Sequence, residues 1–164
     1  MIRNRHFFTD ANKEVPTLKT SQMREVDRIA MEETGPNLFQ MMENAGRNLA
    51  EMALECFGED WQRARIVVLA GTGGNGGGAF AELIHWANST GASIISLDVP
   101  SVLDSTTGVT PGEFIRPSCT MTLALPKSGL GRAEGELILA DIGIPEESLP
   151  ARWCVIRFSL REPV

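Results

Sequence analysis

Cysteine, histidine and positive charge are all in short supply in this chain, and each shortage removes a class of function. Cys56, Cys119 and Cys154 are odd in number, far apart and without metal-ligand spacing, so they read as ordinary buried thiols. No His/Cys cluster suits a metal, no Ser-His-Asp order is present, and no Walker lysine follows a glycine loop; hydrolase and P-loop kinase chemistry lose their support. Fifteen basic residues stand against 21 acidic ones, for a net charge of −6 without any long basic run, which argues against nucleic-acid binding. The opening residues 1–15 carry Arg3, Arg5, His6 and Lys13 but no apolar run long enough for a signal peptide or a membrane span. They are expected to form a flexible, frayed arm ahead of a single domain over 16–164, in a soluble, reducing, cytoplasmic setting.

What is present is hydrophobic periodicity and glycine. Met23, Val26, Ile29 and Ala30 recur at helical spacing within residues 21–33, and Gly35-Pro36 supplies a stop and a restart. Leu38, Met42, Ala45, Leu49, Met52 and Cys56 step by fours and threes, which predicts a second helix with these residues facing the core. Residues 65–70 hold the unbroken apolar run Ile66-Val67-Val68-Leu69-Ala70, expected as a strand covered on both faces. A glycine loop follows at once, then a helix over 80–89, then an apolar strand over 93–99. That order is a right-handed βαβ unit with parallel strands. Further strands are expected at 120–125, 137–142 and 153–158; with few helical residues between them, they leave room for an antiparallel edge pair. The predicted fold class is therefore a Rossmann-like three-layer α/β/α sandwich with a mostly parallel sheet.

The loop Gly71-Thr72-Gly73-Gly74-Asn75-Gly76-Gly77-Gly78 carries six glycines in eight positions. A tight turn needs one or two, whereas a backbone approached by a ligand tolerates many. Between a strand and a helix, amide N–H groups and the helix dipole make a site for a diphosphate. An acidic protein that binds an anion needs such compensation from backbone or cation. Asn75 fits either of two roles, a hard oxygen ligand for a cation or a turn residue in left-handed geometry. Asp98 closes a predicted buried strand, where ligands of open α/β sheets sit, and is placed either for acid–base work or to cap the loop that follows. Lys127 also follows a strand and fits a phosphate partner, although a lone lysine is more commonly solvated. His85, in the middle of a helix, reads as structural.

Taken in order, these stretches resemble the YjeF N-terminal domain family, whose enzymatic members are NAD(P)H-hydrate epimerases. The resemblance is carried by Ser21-Gln22-Met23-Arg24-Glu25-Val26-Asp27 with Met42-Glu43-Asn44-Ala45-Gly46, by the glycine loop, by Ser96 to Ser101 with Leu103-Asp104 and Thr107-Gly108, and by Leu123-Ala124-Leu125-Pro126-Lys127-Ser128-Gly129-Leu130 with Ala140-Asp141-Ile142-Gly143-Ile144-Pro145. It implies epimerisation of hydrated NADH or NADPH, a metabolite-repair activity, with the diphosphate on the glycine loop. It further implies one potassium ion on Asn75 and Ser101, and substrate near Asp98. The chain departs from the family in three respects. A block of strands and helices that follows the glycine loop is absent, together with a further cation-binding aspartate, and Val102 stands where a glycine is usual.

Shortening one side of the sheet leaves the 65–70 strand with an open edge, which favours pairing between two chains as a homodimer. A non-catalytic dimeric scaffold or ligand-binding module of the same fold is the competing function, since family members occur in RNA-decapping scaffolds. A conventional NAD-dependent oxidoreductase is a third, but the acid expected about 20 residues beyond the loop has only Asp98 as candidate, in the wrong local setting.

Overall fold

The computed structural model describes residues 7–9, 14–69, 78–145 and 156–160. Among the described residues are three α-helices and six strands: β1 (Phe7–Thr9), β2 (Glu14–Val15), α1 (Thr20–Ile29), α2 (Leu38–Phe57), α3 (Gly78–Ser89), β3 (Ile95–Leu97), β4 (Cys119–Leu123), β5 (Glu136–Ala140) and β6 (Ile156–Leu160). A π-helical turn, Ala30–Thr34, extends α1 up to Gly35. Asn37 caps α2, its side chain accepting from the Gln40 N–H while the Gln40 side chain accepts from the Asn37 N–H.

The strands form one sheet in the order β2-β1-β6-β5-β4-β3. Its β3-β4-β5 half is parallel, with Ile95 opposite Cys119 and Met121 opposite Ile138. Its β5-β6-β1-β2 half is antiparallel. The fold is Rossmann-like α/β. Successive residues Ile94 and Ile95 turn to opposite faces, Ile94 toward Ile84 and Ala87 of α3, Ile95 toward Met52 of α2. Helices α2 and α3 thus cover the two sides. Phe7 and Val15 are buried with Leu125, Leu130, Leu137 and Leu139. Residues 7–9 and 14–15, expected in a frayed arm, are therefore strands of the sheet, because Phe7 gains a fully buried apolar site there. Leu18 continues this tie, donating from its N–H to the Pro126 carbonyl and accepting from the Ser128 N–H.

Three other expectations need correction. The run at 65–69 is no strand: Ile66, Val67, Val68 and Leu69 are exposed, and among the described residues β3 has a ladder partner on one side only, β4. An apolar run becomes a strand only by pairing with a ladder, and among the described residues this run pairs with none. The buried line of α2 runs through Met41, Ala45 and Met52, while Leu38, Met42 and Cys56 are exposed. Two asparagines cause the rotation. Asn44 Nδ2 donates to the Ile142 carbonyl at 3.0 Å and Asn48 Nδ2 to the Asp141 carbonyl at 2.9 Å, so polar residues occupy the interface that apolar spacing assigns to Met42 and Cys56. The third correction follows from the second: Cys119 is a buried thiol as expected but Cys56 is exposed, and Cys154 lies outside the described residues.

Candidate functional site

At the carboxyl ends of β3 and β4 the backbone leaves the strand region sharply. Asp98, Val102 and Ala124 all have positive φ, of 67°, 75° and 60°. Such values are costly for residues with a side chain, most of all for a β-branched valine, and persist where surrounding contacts over-determine them. The contacts are visible. The Asp98 N–H donates to the Met121 carbonyl at 2.7 Å, and Asp98 Oδ1 accepts from the Leu123 N–H at 3.2 Å. Asp98 thereby continues the β3–β4 pairing with its main-chain N–H and, one step further along β4, with its side chain.

Lys127 completes this arrangement. Its Nζ donates to Asp98 Oδ1 and, at 3.1 Å, to the Leu123 carbonyl. The lysine is only 6% exposed, so the solvated reading of Lys127 is overturned. Burial of an ammonium requires an opposite charge and hydrogen-bond acceptors, and Asp98 with Leu123 supplies both.

A second group of polar residues joins the loop after β3 to Ser128, the residue after Lys127, and to the start of α1. The Asp104 side chain accepts from the Thr106 N–H (3.1 Å), the Thr107 N–H (2.6 Å) and the Thr107 hydroxyl (2.8 Å). Those bonds, led by the Thr107 N–H, hold its carboxyl below the ordinary aspartate range. The Thr20 hydroxyl at the start of α1 meets those of Ser105 (2.7 Å) and Thr106 (2.8 Å). Ser128 Oγ donates to the Thr106 carbonyl at 2.7 Å. Gly108 and Gly129 let the two loops touch: a Cβ on Gly129 would meet the Asp104 carbonyl oxygen and lie 2.7 Å from the Gly108 nitrogen. The loop after β3, the loop after β4 and the start of α1 are thus one rigid assembly.

Of the residues singled out by sequence, Asp98 and Lys127 are brought together. Ser101 lies four residues beyond β3 and is exposed. Gly78 is the first residue of α3. Gly71, Thr72, Gly73, Gly74, Asn75, Gly76 and Gly77 lie outside the described residues. His85 is exposed on α3, its Nδ1 3.2 Å from Glu113 Oε2. Among the described residues no group of three or more His, Cys, Asp or Glu side chains is arranged to hold a metal, and no described helix is long and apolar enough to cross a membrane.

One residue escaped the sequence reading. Asp27, on α1, is half-buried beside Val26, which packs with Leu123 and Ala124 at the end of β4. Burial pushes its carboxyl above the ordinary aspartate range; the Lys127 ammonium opposes that, and the Asp98 carboxylate adds to it. Its only sequence signal was an acid directly following a core-facing residue, which does not separate an inner from an outer position.

The chain is similar to known proteins along this same framework. A family model described as YjeF-related protein N-terminus matches residues 38–81 and 78–129. The two matches meet at the start of α3, where the missing block would stand. An NAD(P)H-hydrate epimerase of Dehalogenimonas lykanthroporepellens is 38% identical over 212 positions, covering 85% of this chain and 86% of that protein. An NAD(P)H-hydrate epimerase of Rhodopirellula baltica is 24% identical, covering 83% and 88%. A bifunctional NAD(P)H-hydrate repair enzyme Nnr of Hyperthermus butylicus is 38% identical over 88 residues, 51% of this chain but 16% of that protein. An alignment of 212 positions exceeds the 164 residues available, so part of the Dehalogenimonas protein faces no residue here.

Proposed function

We propose, from the premise that this chain belongs to the YjeF-related protein N-terminus family, that it is an NAD(P)H-hydrate epimerase acting in metabolite repair. The observation that carries the reading is the Asp98–Lys127 pair, held at the carboxyl ends of parallel strands where the backbone is strained and Asp98 is tied to β4 by hydrogen bonds. Ligands of open α/β sheets bind at that end. Epimerisation removes the hydroxyl from the hydrated ring carbon and returns it from the other face; a proton goes out with the departing oxygen and is recovered from the returning one. Asp98 is the group proposed to give and take that proton, and Lys127 the cation that orients it.

The rest of the proposed site follows the family's pattern. Gly71 to Gly78, opening α3, receives the diphosphate of the nucleotide. Potassium suits the hard, uncharged oxygens of Asn75 and Ser101; bound there it would offset diphosphate charge that an acidic chain leaves uncompensated. The scaffold reading gains nothing specific from the structure, because a pure binding module has no need of a buried lysine on a strained aspartate. Two further proposals concern assembly: one domain that takes in the strands at 7–9 and 14–15 together with residues 16–164, and a homodimer in the cytoplasm. The dimer is supported by two features: among the described residues β3 pairs on one side only, and Ile66, Val67, Val68 and Leu69 form an exposed apolar run; each invites a partner.

The test is direct. One epimer of hydrated NADPH is incubated with purified protein, with and without potassium, and the two epimers are separated by chromatography over time. Equilibration faster than the spontaneous rate, abolished in Asp98→Asn, is expected. Absence of conversion together with absence of binding by hydrated NADPH, NADPH and ADP-ribose rejects the reading. Sedimentation as a monomer in dilute solution rejects the dimer alone.

A further inference from the structure

Strands β3 and β4 end in the same rare turn. The Val99 N–H donates to the Leu97 carbonyl at 2.9 Å across Asp98, and the Leu125 N–H donates to the Leu123 carbonyl at 2.7 Å across Ala124. With its central residue at positive φ, each is a γ-turn of the strained kind. Both central N–H groups still serve the sheet. That of Asp98 donates to the Met121 carbonyl of β4 at 2.7 Å, and that of Ala124 to the Ala140 carbonyl of β5 at 3.0 Å.

The turns leave Leu123 with two main-chain groups facing the end of β3. In an unbroken parallel ladder of this register its N–H would donate to the Asp98 carbonyl, and its carbonyl would accept from the N–H of residue 100. Residue 100 is Pro100, which has no N–H to give. Asp98 Oδ1 accepts from the Leu123 N–H instead, and Lys127 Nζ donates to the Leu123 carbonyl. The ion pair thus stands where two ladder partners would. Both bonds that the Asp98 side chain accepts end on Oδ1; among the described residues Oδ2 has no partner, and the side chain is partly open to solvent. The turn at Ala124 brings Lys127 back to a carbonyl only four residues before it. The Ala124 methyl is buried in the cluster of Met23, Met41, Ala45 and Ile142, and this apolar contact offsets the cost of a left-handed backbone.

We infer that Ala124 is a positioning residue for the reaction: its turn holds the Leu123 peptide groups against Asp98 and Lys127, which anchors the carboxylate by Oδ1 and leaves Oδ2 as the oxygen that exchanges the proton with substrate. The kinetic part rests on the epimerase reading; the anchoring does not. The carbon–oxygen bond breaks as the Oδ2 proton joins the departing hydroxyl to give water, leaving a ring cation and a carboxylate. Addition of water to the other face reverses both changes. A carboxylate pinned at one oxygen keeps the other in a fixed direction, and proton transfer depends on that alignment.

The experiment compares wild type with Ala124→Gly and Ala124→Ser. Glycine frees the turn and removes the methyl anchor, whereas serine keeps a Cβ. Ala124→Gly is expected to lower kcat by roughly tenfold with KM within about twofold, since alignment and not binding is lost. Its melting temperature is expected within about 4 °C of wild type, because relief of strain offsets the lost methyl. Ala124→Ser is expected to keep about half of the wild-type kcat or more. On a Lys127→Met background Ala124→Gly should change kcat by less than about twofold, because the group it positions is gone.

Amide hydrogen exchange reads the anchoring without turnover. The Leu123 and Leu125 amides are expected to be protected in wild type, and Ala124→Gly to speed their exchange by roughly fivefold or more while Met121 stays unchanged. If wild type shows no epimerisation, the functional reading fails and exchange alone decides the anchoring. An unprotected Leu123 amide in wild type, exchange unmoved by Ala124→Gly, a kcat within about twofold of wild type, or an equal loss on both backgrounds overturns the inference. An Ala124→Gly that fails to fold assigns the residue to stability and overturns it as well.

Discussion

Replacing Lys127 by methionine keeps the buried stem and deletes the ammonium, so it isolates what the charge contributes. The lysine side chain is 7% exposed and that of Asp98 39%. Exposed ion pairs couple by about 0.2 to 1 kcal/mol, while breaking a fully buried pair costs about 3 to 5 kcal/mol. Here one end is buried and the other is more than one-third open to water. Asp98 also keeps the Leu123 N–H when the lysine goes. Both facts pull the expected value toward the lower range, to about 1.5 kcal/mol of coupling. The assay is a double-mutant cycle of Lys127→Met, Asp98→Asn and the double variant, read by urea unfolding at pH 7. Independent sites add within about 0.5 kcal/mol. A coupling below that value would mean that water already screens the pair, and the account of a lysine held in the interior by Asp98 would fail. Repeating the cycle at high salt should leave most of the coupling in place, since a buried ammonium is poorly screened.

Three further outcomes are expected of the loops and of α2. Gly129→Ala drives a Cβ into the main chain of Asp104 and Ser105, with no flexible side chain to yield; destabilisation of about 3 kcal/mol or more is expected in denaturant unfolding, and a loss under 1 kcal/mol would show that the loops are not locked together. Asp104→Ala removes the acceptor for three hydrogen bonds. Because the folded Asp104 carboxyl is lowered, its contribution is present above the ordinary aspartate value and lost as pH falls through the folded one, so variant and wild type should converge in melting temperature at low pH; a gap that widens there contradicts the cause assigned. Asn44→Ala leaves the buried Ile142 carbonyl without its side-chain donor and should cost about 1 to 2 kcal/mol by the same unfolding assay, whereas Arg47→Ala, on the exposed side of α2, should be close to neutral.

The apolar runs and helical stripes in the sequence located the three helices and the strands β3, β4 and β5, because these patterns depend on neighbours a few residues away. The sequence also marked Asp98, since an acid at the end of a buried strand is a local statement. It could not decide that Lys127 is buried, because lysine is buried only when a partner reaches it, and Asp98 stands 29 positions away in the chain. Nor could it rotate α2 onto Asn44 and Asn48, whose acceptors lie beyond β5. The same holds for Phe7 and Val15, strand residues only because β6 and the buried leucines of β5 are there to receive them. The run at residues 66–69 is the converse case: its residues are strand-forming by type, yet strand structure is a relation to a neighbour, and among the described residues that run pairs with none.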